Sequence, residues 1–291
     1  MSALLVQEVG PLALVEDLGR PGHAALGVTR SGAADRCALR LGNRLVGNDQ
    51  GDPAIEVLFG GLVLRAEGPV TIAVTGAPAP LSLNGSAAQL CCPLDLRHGD
   101  ELRLGVPDTG LRTYVAVRGG LAVERLFDSA STDPTSGLGP SRLAAGTRLG
   151  VGTAPAAPTT GADVLGATGP PVGDLVLRAM AGPRDDWFTA EAIAALAGSA
   201  WVVTSESDRV GIRLSGPHLE RSREGELPSE GVVRGAIQVP ASGQPLVFFA
   251  DHPTTGGYPV IAVVLDEDTD ALAQSRPGDR VRFQVRRSPG W

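Results

Sequence analysis

Lysine is absent from this sequence of 291 residues, so its 25 basic residues are all arginines. Acidic residues number 32, and the formal net charge is −7. Nucleic-acid binding depends on clustered positive charge, which this composition does not favour. The sequence also lacks a Gly-Lys loop of the Walker type. We therefore expect no nucleic-acid partner and no conventional phosphate-binding loop.

Cysteine and long apolar runs are scarce as well. The three cysteines, Cys37, Cys91 and Cys92, lack the spacing of a disulfide framework or a metal site. No apolar run approaches the length of a membrane-spanning helix, and the first residues do not resemble a signal peptide. These absences predict a cytoplasmic protein with no membrane contact and no bound metal.

Glycine and proline are abundant, with 39 and 23 residues. They favour many short strands separated by turns. The strand-like segments between 54 and 122 predict a closed or nearly closed barrel. One helix is predicted over about 31–46, with Ser31 as its cap and Asp35 in its first turn. Residues 153–173 are rich in Ala, Pro, Thr and Gly and predict a linker between a first domain, 1–152, and a second, 174–291.

The segment 235–258 is the most informative part of the second half. Ile237–Val239 and Leu246–Ala250 predict a hairpin that turns at Gly243. Gln238 lies in an apolar strand, so its amide needs a buried partner or a cavity. The polar residues 254–257 follow the second strand, a place where binding sites are often built. A turn-rich loop without function is the alternative interpretation.

Other polar residues have both a structural and a functional interpretation. Asp17 and Arg20 form either a local loop pair or part of a site, and Asp35 is either a helix cap or a ligand-binding group. Asn43 is a candidate for a specific hydrogen bond. Arg209 and Arg213 have a spacing suited to a carboxylate or phosphate. The hydroxyl cluster at 129–133 has no histidine spacing that indicates a nucleophilic triad.

Several segments occur in one order along the chain: Glu16-Asp-Leu-Gly-Arg-Pro-Gly22, Ser31-Gly-Ala-Ala-Asp35, Asn43-Arg-Leu-Val-Gly-Asn48, Tyr114-Val-Ala-Val-Arg-Gly-Gly120, Ser131-Thr-Asp133, Ser207-Asp-Arg-Val-Gly-Ile-Arg-Leu214, Gly235-Ala-Ile-Gln-Val-Pro240 and Thr254-Thr-Gly-Gly-Tyr-Pro259. Together they resemble the biotin-dependent carboxyltransferase-like family over nearly the whole chain. The resemblance implies a mainly β protein with two β-barrel domains of cyclophilin-like type and a few short helices. It also implies a hetero-oligomer with a smaller cyclophilin-like B-type subunit and possibly an A-type subunit.

The resemblance implies one of three alternative functions. The first is the C-type subunit of an ATP-dependent 5-oxoprolinase, a hydrolase that opens a cyclic amide and is inactive without its partners. ATP is then a co-substrate of the complex, and no cofactor is covalently bound. The second is a carboxyltransferase-type subunit that acts on urea, allophanate or carboxybiotin. The third is a non-catalytic regulator that binds the B-type partner, as in the Kip anti-inhibitor pair.

Amide activation and carboxyl transfer both need donors that stabilise an oxyanion. The predicted catalytic residues are Arg209, Gln238, Thr254 and Thr255. The predicted substrate-binding residues are Asp17, Arg20, Ser31, Asp35, Asn43, Arg213, Gly256, Gly257 and Tyr258. We expect the 17–20 and 254–258 loops to open onto one cavity between the two domains.

Three positions depart from the family pattern, and a histidine lies beside one of them. Glu16 and Pro253 stand where the family often has glutamine, and Ala130 stands where it commonly has arginine. His252 precedes Pro253, and a loop histidine of this kind is expected to be solvated or, as the alternative, to act as a base. The loss of an amide and a guanidinium bears directly on which substrate is bound.

Overall fold

The computed structural model describes residues 2–159, 173–223, 225 and 227–286. The chain forms two compact units, the first from Met1–Arg20 and Ser31–Pro170, the second from Pro21–Arg30 and Pro171–Trp291. Residues 21–30 thus group with the second unit, although they lie inside the predicted first domain, 1–152. Residues 160–172 of the predicted linker lie outside the described residues. The domain bounds stay a prediction.

The described part of the first unit contains eleven strands and one helix. The strands are β1 (Ala3–Glu8), β2 (Leu12–Glu16), β3 (Ala54–Leu58), β4 (Val63–Glu67), β5 (Val70–Gly76), β6 (Leu81–Leu83), β7 (Ser86–Ala87), β8 (Pro93–Leu96), β9 (Glu101–Leu104), β10 (Arg112–Val117) and β11 (Arg148–Gly150). The helix α1 spans Arg36–Leu45. A short 3₁₀ turn, Ala24–Leu26, precedes it in the chain and belongs to the second unit.

Two sheets share the core of the first unit. One has the order β11-β1-β4-β9-β6-β7 and the other β2-β3-β10-β5-β8. Apolar side chains from both sheets, including Leu4, Leu64, Ile55 and Val115, pack into one cluster. The described strands of the first unit thus form two packed sheets, whereas the sequence predicts a closed or nearly closed barrel between 54 and 122.

The helix α1 begins five residues later than predicted. The side chain of Asp35 caps it by accepting a hydrogen bond from the Ala38 amide at 2.9 Å. Ser31 does not cap it, because Ser31 and Gly32 have φ angles of 51° and 99°, which are incompatible with a right-handed helix. Gly47, with a φ of 76°, follows the helix in the left-handed region that commonly ends helices.

The second unit is organised around a closed barrel of seven strands in the order β12-β19-β16-β17-β14-β13-β20. Its strands are β12 (Leu175–Ala181), β13 (Trp201–Val203), β14 (Gly211–Ser215), β16 (Ala236–Gln238), β17 (Leu246–Phe248), β19 (Val260–Val264) and β20 (Arg280–Arg286), with a two-stranded ribbon of β15 (Glu230–Gly231) and β18 (Thr255–Gly256). The remaining elements are a 3₁₀ turn, Asp185–Trp187, and the helices α2 (Ala190–Gly198) and α3 (Thr269–Leu272). The mainly β prediction is confirmed.

Several local predictions in this unit are confirmed. β16 and β17 pair as an antiparallel hairpin, and Gly243 in its turn has a φ of 69°. The Thr189 side chain caps α2 by accepting from the Ala192 amide at 3.1 Å. β20 closes the barrel by pairing with both β12 and β13. Within the described residues, no helix is long and apolar enough to cross a bilayer.

Candidate functional site

The Gln238 side chain joins the barrel to the loop that follows β17. Gln238 is buried, and its Nε2 donates to the carbonyl oxygen of Tyr258 at 2.9 Å. A Cβ on Gly256 would lie 2.5 Å from the same Nε2, so only glycine lets the loop pass this closely over the amide. The sequence predicts that the Gln238 amide needs a buried partner or a cavity, and the Tyr258 carbonyl of this loop is that partner.

An ion pair holds the other end of this loop. Arg209 donates from Nε to Asp251 Oδ2 at 2.7 Å and from Nη2 to Asp251 Oδ1 at 3.0 Å. Both side chains are buried, and the Asp251 amide also donates to the Arg209 carbonyl at 2.8 Å. Two parallel charge-assisted hydrogen bonds fix orientation as well as distance. The pair therefore fixes where the 251–258 loop leaves the barrel.

A third set of contacts holds the middle of the loop. β18 pairs with β15, and the Val232 amide donates to the Thr254 carbonyl at 3.1 Å. Thr255 and Gly257 are exposed, Thr254 and Gly256 are partly buried, and Tyr258 is 49% exposed. The loop is thus rigidly supported while its hydroxyl and backbone groups stay accessible to a ligand.

His252 is buried in this loop rather than solvated. Its Nδ1 lies 2.7 Å from the Pro253 carbonyl oxygen, and its ring lies 6.2 Å from that of Phe248. Burial is the main cause that lowers the pKa of His252 below its ordinary value, with Arg234 adding to the effect. The imidazole is therefore neutral at pH 7. The expectation of a solvated loop histidine is wrong.

A second buried ion pair lies beside this segment and was not found from the sequence. Arg234 Nη2 lies 3.2 Å from Asp270 Oδ1, and the guanidinium stacks 5.0 Å from the centre of the Phe249 ring. Asp270 and Asp251 are both acidic residues in turn-rich sequence, where surface exposure is the ordinary expectation. Their ion pairs with arginines that are distant in sequence stabilise them in the interior.

Arg213 does not join Arg209 in a common anion clamp. It lies on β14 with its side chain exposed, whereas Arg209 is buried and turned toward Asp251. Arg209 lies just before β14 and Arg213 lies within it. The two side chains therefore have different surroundings, although they are only four residues apart.

In the first unit, Asp17 connects two loops that are far apart in sequence. Its Oδ1 accepts from the hydroxyls of Ser129 and Ser131 at 2.6 and 2.7 Å, and its Oδ2 accepts from the Ala130 amide at 2.7 Å. Oδ1 also accepts from the Gly19 amide at 2.7 Å. Two members of the hydroxyl cluster noted in the sequence, Ser129 and Ser131, therefore hold the Asp17 carboxylate.

Arg20 lies in the same place and forms no local pair with Asp17, which was one of the two interpretations of the sequence. Its Nη2 donates to the Ser131 carbonyl oxygen, and among the described residues no ion pair joins it to a carboxylate. Ser31 Oγ reaches the next carbonyl, that of Thr132, at 3.4 Å. Three predicted residues, Asp17, Arg20 and Ser31, are thus brought together around residues 129–132.

Asp35 and Asn43 have clear structural roles. The Asp35 amide donates to the Tyr114 hydroxyl at 2.8 Å, and this hydroxyl donates to Glu56 Oε2 at 2.6 Å. Burial, with Glu56 next in importance, raises the pKa of Tyr114 well above its ordinary value. Asn43 Nδ2 donates to the Asp52 carbonyl at 2.8 Å, and its Oδ1 accepts from Asn48 at 3.1 Å.

No group of three or more His, Cys, Asp or Glu side chains suited to a metal ion occurs among the residues the structure describes. One open cleft of about 740 Å³ lies in the first unit and is lined by residues that include Thr71, Asp95, Arg97 and Arg118. None of the predicted site residues lines it. The polar loops described above, rather than this cleft, carry the groups suited to amide or carboxyl chemistry.

Residues 26–285 match the carboxyltransferase domain family, subdomains A and B. The chain belongs to this family. The predicted family resemblance is thereby confirmed, and the match covers most of both units.

Relatives of this carboxyltransferase-domain protein fall into two groups. It is 37% identical to the C-type subunit of 5-oxoprolinase from Escherichia coli K12, over 96% of this chain and 90% of that protein. It is 30% identical to urea amidolyase of Lachancea kluyveri, over 97% of this chain but 17% of that protein. The crystal structure of Kluyveromyces lactis urea carboxylase superposes with a TM-score of 0.87 at 28% identity, over 97% of this chain and 27% of that one.

Proposed function

We propose that the chain is the C-type subunit of an ATP-dependent 5-oxoprolinase complex. The observation that carries the proposal is the match to the C-type 5-oxoprolinase protein of Escherichia coli, which is nearly end to end for both proteins. The urea amidolyase and urea carboxylase matches cover less than a third of those larger chains. The 5-oxoprolinase relative matches this chain over 90% of its own length at 37% identity, so it is the better guide to this chain's role.

The 251–258 loop supplies the chemistry that the proposal requires. Opening a five-membered lactam needs an activated amide, and phosphorylation of the amide oxygen by ATP makes an electrophile that water attacks. Negative charge then develops on oxygen, and fixed donors stabilise it. The hydroxyls of Thr254 and Thr255 and the exposed backbone at Gly257 are our candidates for these donors, held in place by Gln238 through Tyr258.

Arg209 has a different role in this proposal from the one expected from the sequence. Its Nε and Nη2 are used by Asp251, so the guanidinium positions the loop instead of contacting substrate. We infer that Arg209 and Asp251 act on catalysis only through the geometry of Thr254 and Thr255.

The proposal includes partners and ATP. A B-type cyclophilin-like subunit and an A-type subunit complete the complex, and the isolated chain is inactive. Because the sequence has no Gly-Lys loop of the Walker type, we propose that most nucleotide contacts lie on the partner subunits. Dependence on ATP favours a cytoplasmic complex.

Carboxyl transfer is the second candidate function. It is favoured by the urea carboxylase structure, whose fold this chain shares with a TM-score of 0.87. An oxyanion pocket serves both reactions, so carboxybiotin with urea or allophanate is the alternative substrate set.

The test is reconstitution with the proteins encoded beside this chain. The purified chain, its B- and A-type partners and the full mixture are assayed for ATP hydrolysis that depends on 5-oxoproline. The proposal predicts turnover in the full mixture alone. Turnover of carboxybiotin with urea, without any use of 5-oxoproline, would favour the second candidate. Assembly without either activity would favour a regulator that binds the B-type partner.

A further inference from the structure

Arg20 is a buried cation whose charge has no partner in the described part of the chain. Only 1% of the residue is exposed. Its Nη2 donates to the Ser131 carbonyl oxygen, whereas Nε and Nη1 have no hydrogen-bond partner. A guanidinium remains protonated under all ordinary conditions, and a buried charge without a counter-charge is strongly unfavourable. A buried group of this kind requires an explanation, and a bound anion would supply the missing counter-charge.

A buried hydroxyl beside Arg20 also lacks a partner. Thr132 is 3% exposed, and its Oγ1 makes no hydrogen bond with the described residues. The backbone of Thr132 is fixed, since its amide donates to the Val15 carbonyl at 2.9 Å and its own carbonyl accepts from Ser31 Oγ at 3.4 Å. Thr132 directly follows Ser131, the residue whose carbonyl Arg20 contacts, so the unpaired hydroxyl and the unpaired guanidinium belong to one local cluster.

Nearby carboxylates are directed at other donors. Asp17 accepts from Ser129, Ala130 and Ser131, as described above. Asp133 accepts from the amides of Thr135 and Ser136 at 2.9 and 3.1 Å and from the Ser136 hydroxyl at 2.6 Å. Neither carboxylate forms an ion pair with Arg20. Their negative charges would nevertheless repel a ligand that carries two negative charges. A singly charged carboxylate is the anion that fits this balance.

The turn at 133–139 covers Arg20. A Cβ on Gly139 would lie 3.3 Å from Arg20 Nη2, so the turn packs directly on the guanidinium. The turn is closed by its own hydrogen bonds, from the Asp133 amide to the Leu138 carbonyl at 2.8 Å and from the Gly137 amide to the Asp133 carbonyl at 2.9 Å. Residues 135–137 are exposed. Because the turn covers the guanidinium, access of a ligand to Arg20 requires the turn to move outward.

We propose that Arg20 and Thr132 form a binding site for a small organic carboxylate beneath the 133–139 turn. The guanidinium supplies the charge and the Thr132 hydroxyl supplies a neutral donor. Identification of this ligand with the carboxylate of 5-oxoproline rests on the proposed function, whereas the site itself does not.

The test uses the arginine Nε–H signals of the full-length, ¹⁵N-labelled chain. Arg20→Met identifies the Arg20 signal, and the exposed Arg213 serves as a reference that does not move. The chain is titrated separately with acetate, 5-oxoproline, neutral 2-pyrrolidinone and inorganic phosphate. We expect acetate and 5-oxoproline to shift the Arg20 signal and 2-pyrrolidinone to leave it unchanged. A phosphate response at lower concentration than either carboxylate would overturn the assignment, and so would no response to any anion.

Two valine variants separate binding from folding. Thr132→Val replaces an unpaired hydroxyl by a methyl group, so the ligand-free chain should be as stable as the parent or more stable. Carboxylate affinity should fall by about fivefold for Thr132→Val and by at least about tenfold for Arg20→Met. Thr113→Val is the matched control, because its Oγ1 is also buried without a partner but lies on β10. Equal affinity in Thr132→Val and Thr113→Val would overturn the role of Thr132.

The outcomes also distinguish this site from the proposed function. If acetate shifts the Arg20 signal and 5-oxoproline does not, the carboxylate site stands and the identification of its ligand with 5-oxoproline is wrong. If the reconstituted complex turns over 5-oxoproline while no carboxylate affects Arg20, the function stands and this site is wrong.

Discussion

Arg209 and Asp251 lie 42 positions apart in sequence and form two parallel hydrogen bonds of 2.7 and 3.0 Å between buried side chains. Their side chains are 7% and 1% exposed. Removal of one partner takes the paired counter-charge away from a charge that stays buried, which is more costly than loss of the pair itself.

This relationship predicts strong coupling between the two positions. Arg209→Met and Asp251→Leu should each lower the free energy of unfolding by about 3–5 kcal/mol. The double variant should lose at least about 1 kcal/mol less unfolding free energy than the sum of the two single losses, because neither charge then remains buried alone. Urea unfolding of the four proteins measures the coupling. Additive losses would show that the pair is not a unit.

Gln238 should affect catalysis more than stability. Gln238→Met removes the donor to Tyr258, and we expect an unfolding free energy lower by about 1–2 kcal/mol. Because the loop geometry is lost, kcat of the reconstituted complex should fall by at least about tenfold. Gln244→Met is the matched control, since the Gln244 amide bonds only the Gly216 backbone. An equal loss of kcat in both variants would mean that the Tyr258 contact has no special role.

Asp17 should be essential to the fold of the first unit. Asp17→Asn replaces one accepting oxygen by an NH₂ group that faces the Ala130 amide or the serine hydroxyls. We expect an unfolding free energy lower by about 2–4 kcal/mol. Asp128→Asn is the control, because Asp128 is exposed and asparagine tolerates its φ of 61°. Thermal or urea unfolding measures both. A loss no larger for Asp17→Asn than for the control would contradict this assignment.

His252 predicts a specific dependence of stability on pH. Burial lowers its pKa in the folded state below the ordinary value of 6.5. Between the lowered pKa and 6.5 the unfolded chain binds the proton and the folded chain does not, so acid favours unfolding. The His252 contribution is fully present above pH 6.5 and falls as pH decreases, by up to about 1.4 kcal/mol per pH unit.

Unfolding measured from pH 5 to 8 checks this dependence. His252→Gln should flatten the decline below pH 6.5, whereas His98→Gln, at an exposed turn, should not. An unchanged pH profile in His252→Gln would assign the dependence to other groups.

The sequence predicts the local elements of this protein well. Alternating Val281 and Phe283 predicts β20, and Gly243 predicts the turn of the central hairpin, because period-two burial and positive φ leave clear local signals. The sequence places the helix start at Ser31, because serine is a good cap by residue type, whereas the φ of 51° at Ser31 puts the cap at Asp35. Local patterns do not record such tertiary constraints.

The candidate site was only partly predictable. The sequence indicates Gln238 and Thr254–Tyr258, since polar groups stand out at the end of an apolar strand. It does not indicate that Asp251 pairs with Arg209, or that Asp17 bonds Ser129 and Ser131, because such partners are set by the fold. A common cavity for the 17–20 and 254–258 loops stays a prediction.

The central claim is that this chain completes a 5-oxoprolinase. The most direct measurement is glutamate formation from 5-oxoproline and ATP by the partner subunits, with and without this chain, together with ADP release. The account predicts that glutamate and ADP form in equal amounts only when the chain is present, and that Gln238→Met lowers both rates together. Equal glutamate formation without the chain, or none in the assembled complex, would contradict it.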